Sequence, residues 1–133
     1  MREISFWTRW SSSLLSLMRG IVGFLYLQHG SQKLFDIPVA KSGPPPDFFS
    51  LIGLAGLLEF GGGLLILLGL FTRPVAFLLS GQMAVAYFMA HAPKGFWPLG
   101  NGGELAVLYC FVFFYLSAAG AGPWSLDALL RQR

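Results

Sequence analysis

The sequence predicts an all-α fold, a polytopic membrane four-helix bundle that forms one domain over residues 1–133. Hydrophobic residues make up 55% of the chain, and its mean hydropathy is +0.64. Charged residues make up 11%, against about 25% in a typical soluble domain. Four apolar segments also reach or approach the roughly 17 to 25 residues that are needed to cross hydrocarbon. A soluble domain of this length has too little interior for so many apolar side chains, so lipid is the predicted solvent.

The first predicted span covers residues 12–35 and follows Arg2 and Arg9. It begins like a signal peptide, but no cleavage site of small residues follows the apolar run, so we expect a retained signal-anchor helix. The second span covers residues 48–71. It comes after the prolines at positions 44–46, which cannot continue a helix and therefore mark a loop.

The third predicted span covers residues 75–92, between a break at residues 72–74 and Pro93. The fourth covers residues 103–119 and follows a loop that contains Pro98. Four crossings of the membrane place the two termini on the same side.

The distribution of basic residues predicts the orientation. Five basic residues lie on the side of the termini, whereas two lie in the opposite loops. The first group is Arg2, Arg9, Arg73, Arg131 and Arg133, and the second is Lys41 and Lys94. Because cytoplasmic loops carry the excess of Lys and Arg, both termini are predicted to be cytoplasmic. The expected location is the bacterial inner membrane, with the loops around residues 44–46 and 96–98 facing outward.

Composition and spacing also exclude several classes of function. The chain has 9 basic and 6 acidic residues and no basic run, so no nucleic-acid partner is predicted. Its single cysteine, Cys110, excludes a disulfide or a CxxC pair within the chain. No recognised spacing of metal ligands occurs on any span, so no metal site is predicted.

Ionisable side chains inside hydrocarbon cost about 2.5 to 3.5 kcal/mol each on insertion scales, and they therefore mark candidate sites. His29, Gln32 and Lys33 stand at i, i+3 and i+4 and share one helix face near the outer end of the first span. Glu59 lies roughly 16 Å along the second span, near the bilayer midplane. Arg19 lies deeper in the first span.

His91 ends the third span and Glu104 opens the fourth. Counted from the span ends, both lie with His29 and Lys33 within roughly 10 Å of the outer boundary. We expect these groups to face one cavity that moves protons near neutral pH, with Glu59 as the inner acceptor. The structural alternative is that Glu59–Arg19 or Lys33–Glu104 pairs only clamp the bundle.

One side of the second span carries three small residues, Gly53, Gly56 and Gly63, and Phe60 lies along the same stripe. Small residues allow helices to approach closely, and Glu59 stands at the border of this glycine stripe. Its carboxyl group is therefore expected to point into the bundle, where it must be neutral, paired with Arg19 or Lys33, or hydrogen-bonded. A homodimer could form along the same stripe. Gln82 in the third span is expected to make an interhelical hydrogen bond.

Taken together, these residues resemble the DoxX family of small four-helix bacterial membrane proteins. The resemblance rests on Arg19 with Gly20, on His29, Gly30, Gln32, Lys33, Leu34 and Phe35, on Glu59 with Gly62 and Gly63, on Leu68, Gly69, Leu70, Thr72 and Arg73, on His91, Ala92, Gly95 and Phe96, on Gly103 with Glu104, and on Gly122, Pro123, Trp124, Ser125, Leu126 and Asp127. The sequence departs from the family pattern in its first outer loop, where Asp36 replaces the usual glycine and the three prolines are added.

The resemblance implies a membrane subunit that is linked to quinone-dependent redox chemistry. It also implies a platform that recruits a soluble oxidoreductase or sulfurtransferase to the membrane. Whether the chain is itself an enzyme stays open.

The function predicted from the residues and the resemblance is therefore quinone binding in an outward-facing polar pocket. His29 or Lys33 is expected to hydrogen-bond a quinone carbonyl, and Glu59 is expected to accept a proton. The predicted substrate-binding residues are Arg19, Gln32, His91 and Glu104, the last two connecting the pocket to outer water. The alternative is a non-catalytic scaffold whose outer loop or tail docks a partner. A small transporter or channel is the least favoured class.

Overall fold

A computed structural model describes residues 5–44 and 46–133 of the chain. Arg2 and Pro45, on which the predicted orientation and the predicted outer loop partly depend, lie outside the described residues. The described residues form six α-helices and no strand. The helices are α1 (Phe6–Phe35), α2 (Leu51–Leu68), α3 (Thr72–Ala86), α4 (Pro98–Asn101), α5 (Glu104–Ala119) and α6 (Leu126–Arg131). The predicted all-α class is confirmed.

Serine caps fix where the first two long helices begin. The Ser5 hydroxyl accepts a 3.3 Å hydrogen bond from the Thr8 amide, so α1 begins well before position 12. The Ser50 hydroxyl accepts a 3.1 Å bond from the Gly53 amide at the start of α2. Helix α2 ends where Gly69 adopts a left-handed conformation with φ of 69°, which glycine takes without a steric penalty.

Three helices among the described residues are long and apolar enough to cross a membrane. They are Phe6–Phe35, Leu51–Leu68 and Thr72–Lys94, the last because α3 continues through a π-helical segment, Tyr87–His91, and a 3-10 turn, Ala92–Lys94. Helix α5 is also apolar and has 16 residues. At 1.5 Å per residue it is about 24 Å long. The side of the membrane on which the termini lie stays a prediction.

Apolar side chains fill the interior of the helical bundle and also cover its surface. Tyr26, Ile66, Leu79, Phe113 and Leu116 form its buried core. Equally large apolar side chains point outward along the same helices, including Phe24, Phe77, Leu108, Phe111 and Phe114. Soluble monomers rarely expose an apolar surface of this extent, whereas lipid tails solvate it.

Helix α1 packs mainly against α2, and α3 packs mainly against α5. The buried residues of α2 are Gly53, Gly56, Glu59, Gly63 and Ile66, so Glu59 stands within the glycine stripe rather than at its border. The stripe faces α1, since a Cβ atom on Gly63 would meet the backbone of Leu27 at 2.7 Å. A homodimer along this stripe would have to displace α1 from its own chain.

The chain after α5 turns back across the end of the bundle at which α1 begins. Gly120 and Gly122 have positive φ values, and the Ser125 hydroxyl then caps α6 by accepting a 3.1 Å bond from the Ala128 amide. This short helix was not predicted as an element. Its first turn contacts the loop between α2 and α3, because the Asp127 amide donates a 2.9 Å hydrogen bond to the Gly69 carbonyl.

Candidate functional site

The centre of the site is an ion pair between α1 and α2. Lys33 Nζ lies 2.6 Å from Glu59 Oε1, and the two side chains are 28% and 3% exposed. The carboxyl group points into the bundle as predicted. Among the described residues this is the only ion pair, so neither the Arg19–Glu59 nor the Lys33–Glu104 alternative forms there.

The close approach of α1 and α2 brings the two charges together. A Cβ atom on Gly30 would collide with the backbone of Glu59 and Phe60, and one on Gly56 would lie 3.2 Å from Lys33 Cβ. Two helices with larger residues here would lie farther apart, and Lys33 would not reach the α2 carboxylate in this geometry. The glycines of the stripe therefore position the pair.

Glu59 uses only half of its acceptor capacity. Its Oε2 atom is buried and has no hydrogen-bond partner among the described residues. A carboxylate has about four lone-pair positions on two oxygens, and a buried acceptor without a partner is costly. An unfilled acceptor in the middle of a membrane bundle is a chemically distinctive feature of this protein.

A second polar contact fixes α1, α2 and α3 at the same level. The Tyr26 hydroxyl donates a 2.7 Å hydrogen bond to Gln82 Oε1, and Gln82 Nε2 donates a 3.3 Å bond to the Ala55 carbonyl. Ala55 lies one helical turn before Glu59. The interhelical hydrogen bond that was predicted for Gln82 is confirmed. Tyr26, its partner, was missed because a tyrosine within an apolar run is indistinguishable from an ordinary core residue.

His29 and Gln32 lie beside the ion pair on the surface of α1. Together with Gln28, Pro38 and Val39 they line a shallow open cavity of about 200 Å³. Gln32 Nε2 donates a 3.1 Å hydrogen bond to the Val39 carbonyl, which holds the following loop over the helix end. The His29 ring also meets the Tyr109 ring edge-on, with a centroid distance of 6.0 Å.

His91 and Glu104 lie at the two ends of the loop between α3 and α5, His91 at the end of the π-helical segment and Glu104 as the first residue of α5. His91 Nδ1 is 3.2 Å from the Asn101 carbonyl oxygen, and Glu104 is exposed in the first turn of α5. No hydrogen bond within the described part of the chain links either residue to His29, Lys33 or Glu59. Their predicted role in a shared pocket stays a prediction.

Asn101 organises this second loop and was missed from sequence. Its buried amide donates hydrogen bonds to the Tyr87 hydroxyl at 3.1 Å and to the Gly95 carbonyl at 2.9 Å, and its oxygen accepts one from the Gly103 amide at 2.8 Å. An open cavity of about 540 Å³ lies against the loop. Its lining is mostly aromatic and proline side chains, namely Tyr87, Phe88, Pro93, Phe96, Trp97 and Pro98, with Ala92 and Gly95.

Arg19 lies near the middle of α1, on the N-terminal side of His29, and is 3% exposed. Its guanidinium donates to the carbonyls of Ile66 and Leu67 at 3.2 Å and of Trp124 at 2.6 Å. The first two carbonyls belong to the last turn of α2. These backbone contacts fasten the end of α2 to the C-terminal segment through the two terminal guanidinium nitrogens, whereas Arg19 Nε is buried without a hydrogen-bond partner among the described residues. The predicted substrate-binding role of Arg19 stays a prediction.

Asp127 completes this end of the bundle and was also missed. Its two carboxylate oxygens accept hydrogen bonds from the amides of Phe71 at 2.8 Å and Thr72 at 3.0 Å, so it caps the first turn of α3. Partial burial would raise the pKa of Asp127, but the two amides and the nearby Arg131 charge outweigh it and leave the pKa below its ordinary value.

Among the described residues, no three His, Cys, Asp or Glu side chains lie close enough together to hold a metal ion.

Comparison with known proteins identifies the family. Residues 14–92 match the DoxX family. They include most of α1, all of α2 and α3, and the Lys33–Glu59 pair. The chain belongs to the DoxX family. The resemblance drawn from its residues is therefore confirmed.

The relatives of this DoxX protein are bacterial. An uncharacterized protein of Haemophilus influenzae is 42% identical over 117 residues, which cover 85% of this chain and 87% of the relative. An uncharacterized membrane protein of Mycobacterium tuberculosis is 29% identical over 87% of this chain and 80% of its own length. The inner membrane protein YqjF of Escherichia coli is 34% identical over 62% of this chain and 64% of its own length. No solved structure matches.

Family membership, the inner-membrane relative and the long apolar helices together make this DoxX protein a multi-pass protein of the inner membrane. The lipid bilayer is thus one of its predicted partners. Several of the motif residues collect at two places in the bundle. Lys33 and Glu59 meet at the α1–α2 crossing, whereas Arg19, Thr72 and Asp127 meet at the end that holds α6.

Proposed function

We propose that this DoxX protein is an integral membrane subunit of a quinone-linked oxidoreductase system. The observation that carries the proposal is the Lys33–Glu59 pair, in which a buried carboxylate is joined to a lysine that reaches the surface next to His29 and Gln32. Structural ion pairs occur in membrane bundles, but this one leaves a carboxylate oxygen free, as a proton acceptor requires.

The cavity on α1 has the polarity that a quinone head group needs. His29, Gln28 and Gln32 offer side-chain nitrogen donors for carbonyl oxygens, and Pro38 and Val39 supply apolar contact. A bound quinone would supply a redox couple that takes up or releases two electrons and two protons. The electrons would be exchanged with a soluble oxidoreductase partner, since the chain carries no recognised motif for a redox group.

The residues of the chain handle the protons in this proposal. Lys33, one position after Gln32, holds a proton at the cavity side of the pair, and Glu59 Oε1 accepts it 2.6 Å away. His29 exchanges protons at the surface. His91 and Glu104 are the proposed link to outer water. Arg19 acts at a distance, by holding the inner end of α2 in place.

The experiment is purification of the full chain in a mild detergent, followed by mass spectrometry of the extracted lipids. Quinone in roughly stoichiometric amount, lost in His29→Ala and retained in the lipid-facing control Tyr115→Phe, would support the proposal. A quinone-free protein that also fails to bind added short-chain quinone would overturn it. Glu59→Gln should keep the bound quinone and lose its redox turnover with the partner.

A second candidate is a scaffold that recruits a soluble oxidoreductase or sulfurtransferase. The outer loop favours it, because Phe96 and Trp97 are 80% and 73% exposed on a backbone that Asn101 holds in place. A photo-crosslinking amino acid at position 97, with position 77 on the lipid face as the control, tests this candidate in intact cells. If the protein acts only as a scaffold, Glu59→Gln should leave both the crosslinking and the cellular function intact.

A further inference from the structure

Exposed basic residues are divided by type between the two ends of the bundle. Those described at the end that holds α6 are all arginines, namely Arg9, Arg73, Arg131 and Arg133, whereas Lys41 and Lys94 lie at the other end. Asp127 is the acidic residue described at the α6 end, and both of its carboxylate oxygens accept amide hydrogen bonds. No arginine in the described ranges forms an ion pair. The chain therefore leaves the positive charge of this end unbalanced.

Arg73, the second residue of α3, is exposed and yet held in a fixed position. Its guanidinium donates a hydrogen bond to the Ala118 carbonyl in the last turn of α5. The same group lies over Gly120, where a Cβ atom would be 3.1 to 3.3 Å from it. Its Nη2 and Nε atoms make no hydrogen bond within the part of the chain that the structure describes. These nitrogens stay available to an anion, and little side-chain entropy is left to lose on binding.

Arg131 lies on the face of α6 that packs against the start of α3. It stands four positions after Asp127, so the two residues share one face of the helix. Asp127 accepts hydrogen bonds from the amides of Phe71 and Thr72. This contact brings the Arg131 face of α6 to the segment that continues directly into Arg73.

Arg9 is placed near the same segment by α1. It shares a helix face with Ser12 and Ser16, which follow at i+3 and i+7. The Ser16 hydroxyl accepts a 3.1 Å hydrogen bond from the Trp124 amide, and a Cβ atom on Gly122 would lie 3.1 Å from the Ser12 carbonyl oxygen. This face of α1 therefore packs against the chain that returns after α5. We call Arg9, Arg73 and Arg131 the arginine rim.

The arginine rim lies at the level of the membrane surface. The long apolar helices α1, α2 and α3 begin or end here. Trp124 and Phe71 are 61% and 60% exposed at the same end, and tryptophan concentrates at the level of the lipid head groups. Phe77 stands one turn after Arg73 on the same face of α3 and is 65% exposed. A cation at the surface is thus continuous with an apolar face below it.

We propose that the arginine rim binds the phosphate of an anionic phospholipid, with an acyl chain of that lipid lying along Phe77. Arginine suits this ligand because its planar guanidinium forms paired hydrogen bonds with phosphate oxygens. Clusters of basic residues next to membrane-spanning helices are attracted to anionic lipids. The inference goes beyond the proposed function and does not depend on it, since the rim shares no residue with the Lys33–Glu59 pair or the His29 cavity.

The test is native mass spectrometry of the full chain in a mild detergent, titrated with phosphatidylglycerol or with phosphatidylcholine of identical acyl chains. We expect the wild type to bind phosphatidylglycerol more tightly. Arg73→Gln and Arg131→Gln should each weaken that binding about fivefold, the effect of one basic residue near an anionic surface, and should leave phosphatidylcholine binding unchanged. Lys94→Gln is the matched control, because it removes the same charge from an exposed position at the other end and should change neither affinity.

Equal affinities of the wild type for the two lipids would overturn the proposal, as expected for a rim that serves an acidic protein instead. An equal loss in Arg73→Gln and Lys94→Gln would also overturn it, because net charge rather than this site would then govern binding. Displacement of phosphatidylglycerol by millimolar inorganic phosphate would assign the rim to a free anion and overturn the lipid assignment. If Arg73→Gln does not fold, Arg131→Gln decides alone, and an unchanged affinity in that variant would overturn the proposal.

Discussion

Arg19 in α1 donates a 2.6 Å hydrogen bond to the carbonyl of Trp124, 105 positions later in the chain. The same guanidinium binds the Ile66 and Leu67 carbonyls in the last turn of α2. The last carbonyls of a helix have no partner within it and carry the negative end of its dipole. The guanidinium is a planar cation with several donors, so it can bind several of these carbonyls at once. This explains why the buried Arg19 has backbone carbonyls as its direct partners.

Replacement of Arg19 by lysine should therefore destabilise the protein by about 2 to 3 kcal/mol, because one ammonium group cannot serve carbonyls on two chain segments and hydrogen bonds to charged groups are worth about 1.5 to 3 kcal/mol. The measurement is unfolding by SDS in mixed micelles. Arg9→Lys is the control, since Arg9 is exposed on the same helix and should change stability by less than about 0.5 kcal/mol. Equal stabilities of the two variants would show that the Arg19 contacts are dispensable.

The Lys33–Glu59 pair should respond asymmetrically to the loss of either partner. Lys33→Met leaves a carboxylate that is 3% exposed without its cation. Such a loss typically costs about 3 to 5 kcal/mol. Glu59→Gln should cost less, because the Lys33 side chain is 28% exposed and its ammonium can turn toward water.

A double-mutant cycle in the same unfolding assay checks this expectation. The variant with both Lys33→Met and Glu59→Gln should be more stable than Lys33→Met alone, because it no longer buries an uncompensated charge. Strictly additive effects of the two changes would mean that the ion pair contributes no coupling energy.

The sequence was sufficient to predict that Glu59 points inward and that Gln82 bonds between helices. Both are polar side chains within apolar spans, and hydrocarbon leaves such groups no other direction. The sequence was not sufficient to choose between Arg19 and Lys33 as the partner of Glu59, because both residues lie on α1. The choice depends on the level at which α1 and α2 cross, which Gly30 and Gly63 set by contact.

The end of the bundle that holds α6 could not be predicted in this way. Asp127 caps α3 across 55 positions of sequence, and Arg19 reaches Trp124 across 105. Neither contact produces a periodic pattern in the sequence, since each depends on the chain turning back after α5 at Gly120 and Gly122. The motif residues around Trp124 and Asp127 were recognised only as part of a family resemblance, and their structural role follows from this return of the chain.

Gly30 should tolerate no side chain. A Cβ atom there would collide with the backbone of Glu59 and Phe60, so Gly30→Ala must separate α1 from α2. Overpacking of this kind costs about 1 to 3 kcal/mol, and the variant should also weaken the Lys33–Glu59 coupling in the double-mutant cycle. Gly20→Ala on the same helix is the control, because a Cβ atom at Gly20 would have no neighbour within 4 Å. It should stabilise the helix by about 0.5 to 1 kcal/mol, and an equal loss in both variants would contradict the close-crossing argument.

Asp127 should make the stability of the protein depend on pH in the acid range. Burial opposes its ionisation, but the amides of Thr72 and Phe71 and the Arg131 charge prevail, so its pKa in the folded protein lies below the ordinary value of 3.8. A carboxyl group with a lowered folded pKa stabilises the fold above its ordinary pKa, and that stabilisation disappears as the pH falls toward the folded value. We therefore expect the difference in melting temperature between the wild type and Asp127→Asn to be constant at neutral pH and to shrink below about pH 4. Because both proteins carry every other carboxyl group, this difference isolates the Asp127 cap, and a difference that grew as the pH fell would refute the assigned direction of its pKa.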